Sequence, residues 1–279
     1  MCFSLDFKTQ KWQVIDGLQR ISTIIKFLND ENWRLSKLSD VDVRISGRSV
    51  LEIKEIEEGK LYQMVENLTI PVTVLRCDYT RPQHTNYLFT IFHRLNTGGL
   101  KLTNQEIRNA IYNGPLNDLL KECNNKIEWR TLIGIKSNVK YRFAKEELIL
   151  RFFAFFDRLE TYQGTLSKFL NDYMETNKNI SGISLSNKRA LFNSTIEILL
   201  NLGKFKLSNV GTTVIEALMY GVAKNLDSLA NASSARLQAL YLELTNDSNF
   251  ALENLVENIS AKTKVINRLN AAQVIFSRA

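Results

Sequence analysis

The chain is poor in the residues that metal and redox chemistry draw on. It has only two histidines, His84 and His93, in 279 residues. An HNH-type nuclease centre or a zinc site needs clusters of His or Cys, so neither is expected. Cys2, Cys77 and Cys123 are scattered, with no close pair and no ligand spacing. An odd, dispersed set reads as unpaired thiols in a reducing compartment. No apolar leader follows the start, and the most apolar stretch, 148–156, is broken by Arg151 and too short to span a bilayer. A cytoplasmic protein without a membrane partner is expected. Phosphate-loop signatures are missing too. Gly203-Lys204 lacks the upstream glycine of a Walker A loop, because position 198 is Ile, and no Gly-x-Gly-x-x-Gly occurs. No Ser-His-Asp arrangement presents itself, and the two histidines read as packing or surface residues.

What remains is an ordinary globular profile, 44% hydrophobic and 23% charged. The length allows one large domain or two modest ones. The formal charge is +7 and the pI about 9.2. Such a balance favours polyanionic partners, DNA or nucleotides.

The three prolines, Pro71, Pro82 and Pro115, all lie in the first 115 residues. Residues 11–15 read as a short strand, Asp16-Gly17 as a turn, and Leu18, Ile21, Ile24, Ile25 and Leu28 as the apolar face of a helix. Residues 61–67 suggest a short helix and 68–75 a β-branched strand with Pro71 near its start. A helix follows from Pro82 to about Leu95. Thr103 and Glu106 form a capping box for another, which Gly114-Pro115 ends. Behind it the pattern is helical throughout, over 145–159, 166–175, 187–202, 210–224, 232–245 and 252–265. The reading is therefore α+β, with a mixed domain over 1–115 and an all-helical domain over 116–279.

Three segments could carry chemistry. In the first, a strand feeds Asp16-Gly17 and a helix start, where unpaired N–H groups and the helix dipole attract an anion. Arg20 offers a bidentate phosphate contact, and Asp16 an oxygen for a divalent ion such as Mg2+. The same spacing also fits an ordinary capped turn. The second, Asn96-Thr97-Gly98-Gly99, is either an anion-binding nest or a helix C-cap. In the third, Glu106 is explained by its capping role, while Arg108 and Asn109 fit either a site or a solvated helix face.

In their order these segments resemble a known family. Ile15-Asp16-Gly17-Leu18-Gln19-Arg20-Ile21-Ser22-Thr23, then Phe92-His93-Arg94-Leu95-Asn96-Thr97-Gly98-Gly99, then Leu102 through Ala110 with Glu106-Ile107-Arg108-Asn109, resemble the N-terminal domain of GmrSD-type restriction endonucleases. Glu146 to Phe152 and Phe169 to Tyr173 look like that family's helical continuation. The resemblance covers roughly residues 10–175. It implies a ParB/sulfiredoxin-like fold for the front domain and binding and hydrolysis of a nucleoside triphosphate, GTP or ATP, with Mg2+ as a companion ion. It also implies a role in bacterial defence against phage DNA. By this resemblance Asp16, Gln19 and Arg20 become catalytic candidates. Gly17, Ser22, Thr23, Asn96, Thr97, Gly98 and Gly99 become nucleotide-binding ones, with Arg94 and Arg108 behind them.

Two departures stand out. Family members usually carry a further segment, with a Gln-Arg and an aromatic-Trp pair, ahead of Asp-Gly-x-Gln-Arg. Here residues 1–14 precede it, so the sequence reads as a fragment, a mis-started reading frame or half of a split protein. Leu18 replaces a common Gln and is expected to turn toward the core. Three functions follow: an NTPase or nucleotide sensor of a restriction system; a catalytically inactive DNA- or protein-binding module, served by a separate nuclease chain or domain; and, last, a stand-alone nuclease, for which no clustered metal ligands exist.

Overall fold

A computed structural model describes residues 1–95, 102–135, 144–202, 207 and 210–279. They form two compact units, Met1–Gly99 and Leu100–Ala279. The first is mixed and the second helical, as the sequence reading has it.

Three strands build the sheet of the first unit: β1 (Cys2–Asp6), β2 (Lys11–Asp16) and β3 (Thr73–Cys77), in the order β2-β1-β3. β1 and β2 form an antiparallel hairpin, whose turn is fastened by Thr9 Oγ1 donating to Asp6 Oδ2 at 2.6 Å. β3 lies parallel to β1 on its other side. A parallel neighbour needs a long crossover, and α1 (Leu18–Asn29), α2 (Val50–Glu55) and α3 (Lys60–Glu66) supply it. These helices share a small core of Phe27, Val50, Ile53 and Tyr62 flanked by Trp33, Leu35, Ile45 and Leu61. Phe27 stacks on Tyr62 with ring centroids 5.5 Å apart. α4 (Pro82–Leu95) follows β3 and packs on β2, burying Thr85, Leu88 and Phe92.

Three expectations need correction here. β1 has no counterpart in the sequence reading, which starts its first strand at Lys11. The strand expected over 68–75 pairs only from Thr73 to Cys77, because the ladder partner begins at Cys2 and Pro71 has no N–H to contribute. The apolar stripe of α1 is not its buried face. Phe27 is the buried residue of this helix, and Leu18, expected in the core, is 64% exposed. Ile21 and Ile24 are half-buried on the side of Phe27, while Leu18, Ile25 and Leu28 are exposed, so the buried face is turned away from part of the stripe.

The second unit contains α5 (Asn104–Ile111), α6 (Pro115–Asn125), α7 (Ile127–Leu132), α8 (Ala144–Arg158), α9 (Leu166–Asn177), α10 (Gly182–Leu200), α11 (Thr212–Lys224), α12 (Leu226–Leu229), α13 (Ser234–Asn246), α14 (Leu252–Val256) and α15 (Lys262–Phe276). α11 is buried at every position from Val214 to Ala223, the mark of a central helix. It packs on α8, α10 and α15. At Gly221 an added Cβ would stand 2.8 Å from the carbonyl oxygen of Ala272, so glycine lets α11 and α15 approach. An aromatic cluster of Trp129, Phe152, Phe153 and Phe192 fills the space among α7, α8 and α10. The helix expected over 252–265 is two helices, α14 and α15, separated where Asn258 takes a left-handed conformation at φ 48°.

Candidate functional site

The chain from β2 into α1 is shaped by one extra residue. Phe3 pairs with Val14, but the next partners are Cys2 and Asp16. Ile15 is therefore a bulge, and the bulge places Asp16 rather than Ile15 opposite Cys2. Bulges re-aim side chains where a ladder ends. Gly17 follows at φ 100°, where a side chain would be strained, and serves as the N-cap of α1. Helical bonding begins when Ile21 N–H donates to the Gly17 carbonyl at 2.9 Å. No side chain caps the helix, and its first turn holds no acid. The opening N–H groups are thus bonded by no capping side chain, and the nearest anion to the positive end of the dipole is Asp16, just before Gly17.

Arg20 Nη2 donates to Asp16 Oδ2 at 2.5 Å, one helical turn on. Both side chains are solvated, at 59% and 36% exposure. An i,i+4 pair of this kind is worth only about 0.3–0.5 kcal/mol, so a competing anion or cation displaces it at small cost. Gln19, Ser22 and Thr23 are exposed on the same two turns of α1. Asp16, Gly17, Gln19 and Arg20 are neighbours on one stretch of surface, with Ser22 and Thr23 on the next turn.

The remaining candidates fall elsewhere. Arg94 is exposed in the last turn of α4, within the same unit. Asn96, Thr97, Gly98 and Gly99 lie outside the described residues. Arg108 belongs to the helical unit and is 1% exposed. Its guanidinium donates to Asn171 Oδ1 at 2.8 Å, to Gln105 Oε1 at 3.2 Å and to Glu147 Oε2 at 2.9 Å. The solvated helix face considered for Arg108 is thus a buried polar one. Asn109, its neighbour, donates to Glu146 Oε1 at 2.5 Å.

The sequence reading missed the opposite end of the sheet. There Asp78 is fully buried. Its Oδ1 accepts from the Thr80 N–H at 2.9 Å and from Thr80 Oγ1 at 2.6 Å, while Lys8 Nζ stands 3.0 Å from Oδ2. Thr80 and Lys8 together hold the Asp78 carboxyl well below the usual range, against the pull of burial. The tight Cys77-Asp78-Tyr79-Thr80 sequence carries the Asp-x-Thr spacing of a side-chain-closed turn, the signal that could have marked it. Asp78 Oδ2 has no hydrogen-bond partner and is held by ion pairs to Lys8 and to Arg81 Nε at 3.3 Å, while the Asp78 N–H donates to His84 Nδ1 at 2.9 Å, so the group fastens the hairpin to the start of α4. Among the described residues no three His, Cys, Asp or Glu side chains gather as metal ligands, and no helix is long and apolar enough to cross a membrane.

Residues 3–113 match the family described as the GmrSD restriction endonuclease, N-terminal domain. This chain therefore carries a GmrSD-type N-terminal domain, that of a restriction system. The match spans the whole bulge, turn and α1 site and ends just beyond α5. No curated protein and no solved structure matches the chain.

Proposed function

We propose that this GmrSD-type domain binds the phosphates of a nucleoside triphosphate, GTP or ATP, at the start of α1, and hydrolyses it in the service of phage defence. The observation that carries the reading is the uncapped helix start behind Gly17, which leaves oriented N–H donors for an anion. A GmrSD-type domain puts a nucleotide at the head of the anions to consider. In this reading the N–H groups after Gly17 hold the terminal phosphates. Arg20 leaves Asp16 for a phosphate oxygen and stabilises the charge that develops there. Gln19 orients the attacking water. Ser22 and Thr23 add hydroxyl donors, and Arg94 is a further candidate for a phosphate contact; Asn96, Thr97, Gly98 and Gly99, which the resemblance adds to the nucleotide-binding set, lie outside the described residues. Arg108 is left out, because its guanidinium is already committed inside the helical unit.

Mg2+ fits this site as a companion of the nucleotide. Such an ion commonly takes one or two protein carboxylates and completes its shell with phosphate and water. Asp16 is the carboxylate proposed to take part, partly exposed and next to the start of α1. When bound, the ion would neutralise phosphate charge; the protein's part is to orient the phosphates and the water. The test is nucleotide hydrolysis by the wild-type chain, Asp16→Ala and Arg20→Ala. Activity that falls at least tenfold in both variants supports the reading, and equal rates in all three overturn it.

A second reading rests on charge distribution. Leu100–Ala279 holds 23 of the 36 basic and 17 of the 29 acidic side chains, so nearly all the excess positive charge belongs to the helical unit. This supports a DNA contact by that unit, with or without hydrolysis, beside a nuclease supplied by another chain or domain. Duplex binding that weakens steeply with salt is its expected mark. Binding indifferent to salt, or none, speaks against it.

A further inference from the structure

A small polar cavity lies inside the helical unit. Arg151, Tyr162, Thr213, Glu216, Ser260 and Arg268 line it, and it has room for about one water-sized sphere. Arg268 of α15 is 3% exposed. Its Nη2 donates to the Ile259 carbonyl at 2.6 Å, but its Nη1 is buried and finds no acceptor among the described residues. Tyr162 is already committed, its hydroxyl donating to the Ser260 carbonyl at 2.5 Å. Another wall is the start of α11. No side chain caps that helix and its first turn holds no acid. Helical bonding begins only with the N–H groups of Val214 and Ile215, both on the Gly211 carbonyl. Thr213, one residue earlier, therefore brings an N–H with no helical acceptor, and a hydroxyl beside it.

The charges around the cavity do not balance. Arg108, Arg151 and Arg268 have two carboxylates among them, Glu147 and Glu216. Glu146, the other buried carboxyl of α8, is bonded to Asn109 instead. Glu216 reaches Arg151 at 3.5 Å and forms no ion pair with Arg268. A guanidinium in a protein keeps its proton, so one positive charge is left over, and Arg268 is the cation without a partner. A buried charge is costly unless it is paired. Water would satisfy the Nη1 donor and leave the charge standing. Phosphate, sulfate and carboxylates are too large for the space. We infer that the cavity binds a monatomic anion, a halide of the chloride class, between Arg268 Nη1 and the first turn of α11. Arg151 adds attraction from α8. Glu216 lines the cavity too, and its repulsion places the ion against Arg268 and Thr213. The ion then ties α15 to α11 through charge as well as packing.

The test is thermal melting of the full chain, followed by circular dichroism, as chloride replaces gluconate at constant ionic strength. An ion that binds only the folded state raises the melting temperature by mass action, here by about 2–4 °C at concentrations well above half-saturation. Bromide should act as chloride does. Arg268→Gln keeps a donor for the Ile259 carbonyl but not the charge, and should lose the response. Thr213→Val alters a half-buried position and removes one contact, so it should move half-saturation severalfold upward; it decides the matter where Arg268→Gln does not fold. A crystal grown in bromide should show an anomalous peak within hydrogen-bonding distance of Arg268 Nη1. Equal melting of the wild-type chain in chloride and gluconate overturns the proposal and leaves water in the cavity. A response unchanged in Arg268→Gln or in Thr213→Val overturns it as well, and so do bromide peaks at the surface alone, which mark adventitious ions only.

Discussion

Arg108 meets Glu147 inside the helical unit, Nη1 to Oε2 at 2.9 Å, and Glu147 passes the contact on to Arg151 at 2.7 Å. Arg151 in turn reaches Glu216 at 3.5 Å. The chain of charges ties α5 to α8 and α8 to α11. Burial pulls the Glu147 carboxyl up, but Arg151 and Arg108 more than offset it and hold it below its ordinary value. Removing one member of such a set strands a buried charge, at a cost of about 3–5 kcal/mol. Arg108→Ala should therefore lose about that much stability in urea unfolding, while the folded protein keeps its nucleotide affinity. Lost affinity with unchanged stability would return Arg108 to the nucleotide site.

How much of this was legible beforehand can be argued from α1 and α5. The start of α1 was legible because Asp16-Gly17 is a local signal and Gly17 takes the conformation its chemistry permits. The capping box of Thr103 and Glu106 was legible for the same reason, and both of its hydrogen bonds form. The outward face of α1 was not. Periodicity marks an apolar stripe without saying how much of it is covered, and here Phe27 is buried with Ile21 and Ile24 half-buried while Leu18, Ile25 and Leu28 stay exposed. Of the two readings of Arg108, a site or a solvated helix face, the second fails, and its buried pairing was not legible because its partners, Asn171 and Glu147, lie 63 and 39 residues away. The bulge at Ile15 depends on β1, a strand whose alternation in Cys2-Phe3-Ser4-Leu5-Asp6 was there to be read.

The close approach of α11 and α15 makes a second prediction. An alanine methyl at Gly221 would meet the Ala272 carbonyl at 2.8 Å and Phe276 at 2.9 Å. One of those contacts is backbone and has no rotamer to relieve it. Gly221→Ala should cost about 1–3 kcal/mol, the range for overpacked cores. Gly182→Ala is the control, because nothing stands within 4 Å of the added atom. Gly182→Ala should melt at or above the wild-type temperature while Gly221→Ala melts several degrees lower. Equal melting of the two would mean that the helices part without strain.

Asp78 contributes to the acid response of the first unit beside Asp6, Asp42 and Glu52, whose carboxyls are also held below their ordinary values. Its folded pKa lies below its unfolded value of about 3.9. The stabilisation is therefore fully present above pH ~4 and is lost as pH falls through that value toward the folded pKa. Melting curves between pH 7 and pH 3 should show a decline that begins near pH 4 and is shallower in Asp78→Asn. That variant should also start lower at pH 7, since Lys8 and Thr80 lose their charged partner. A decline of the same steepness in both proteins would assign the acid response to other groups.

Gly17 offers the sharpest separation between a fold role and a site role. At φ 100° an alanine is strained, at roughly 1–2 kcal/mol for a left-handed L-residue. The added methyl also meets the Met1 side chain at 2.8 Å, but that chain is flexible and can turn aside. The first unit should therefore survive Gly17→Ala with a modestly lower melting temperature. The N–H groups of Leu18, Gln19 and Arg20 fix the proposed phosphate position, and any relaxation of the strained turn re-aims all three together. Nucleotide affinity should fall at least tenfold in Gly17→Ala and further in Gly17→Val, whose branched side chain disfavours this backbone more strongly. Arg20→Lys tests the other half of the site. It keeps the charge but not the planar fork, so binding should weaken less than in Arg20→Ala while hydrolysis falls nearly as far. Equilibrium binding of a fluorescent nucleotide, read beside melting curves of the same samples, separates the two effects. A Gly17→Val protein that remains folded and binds like wild type would remove the turn from the phosphate site.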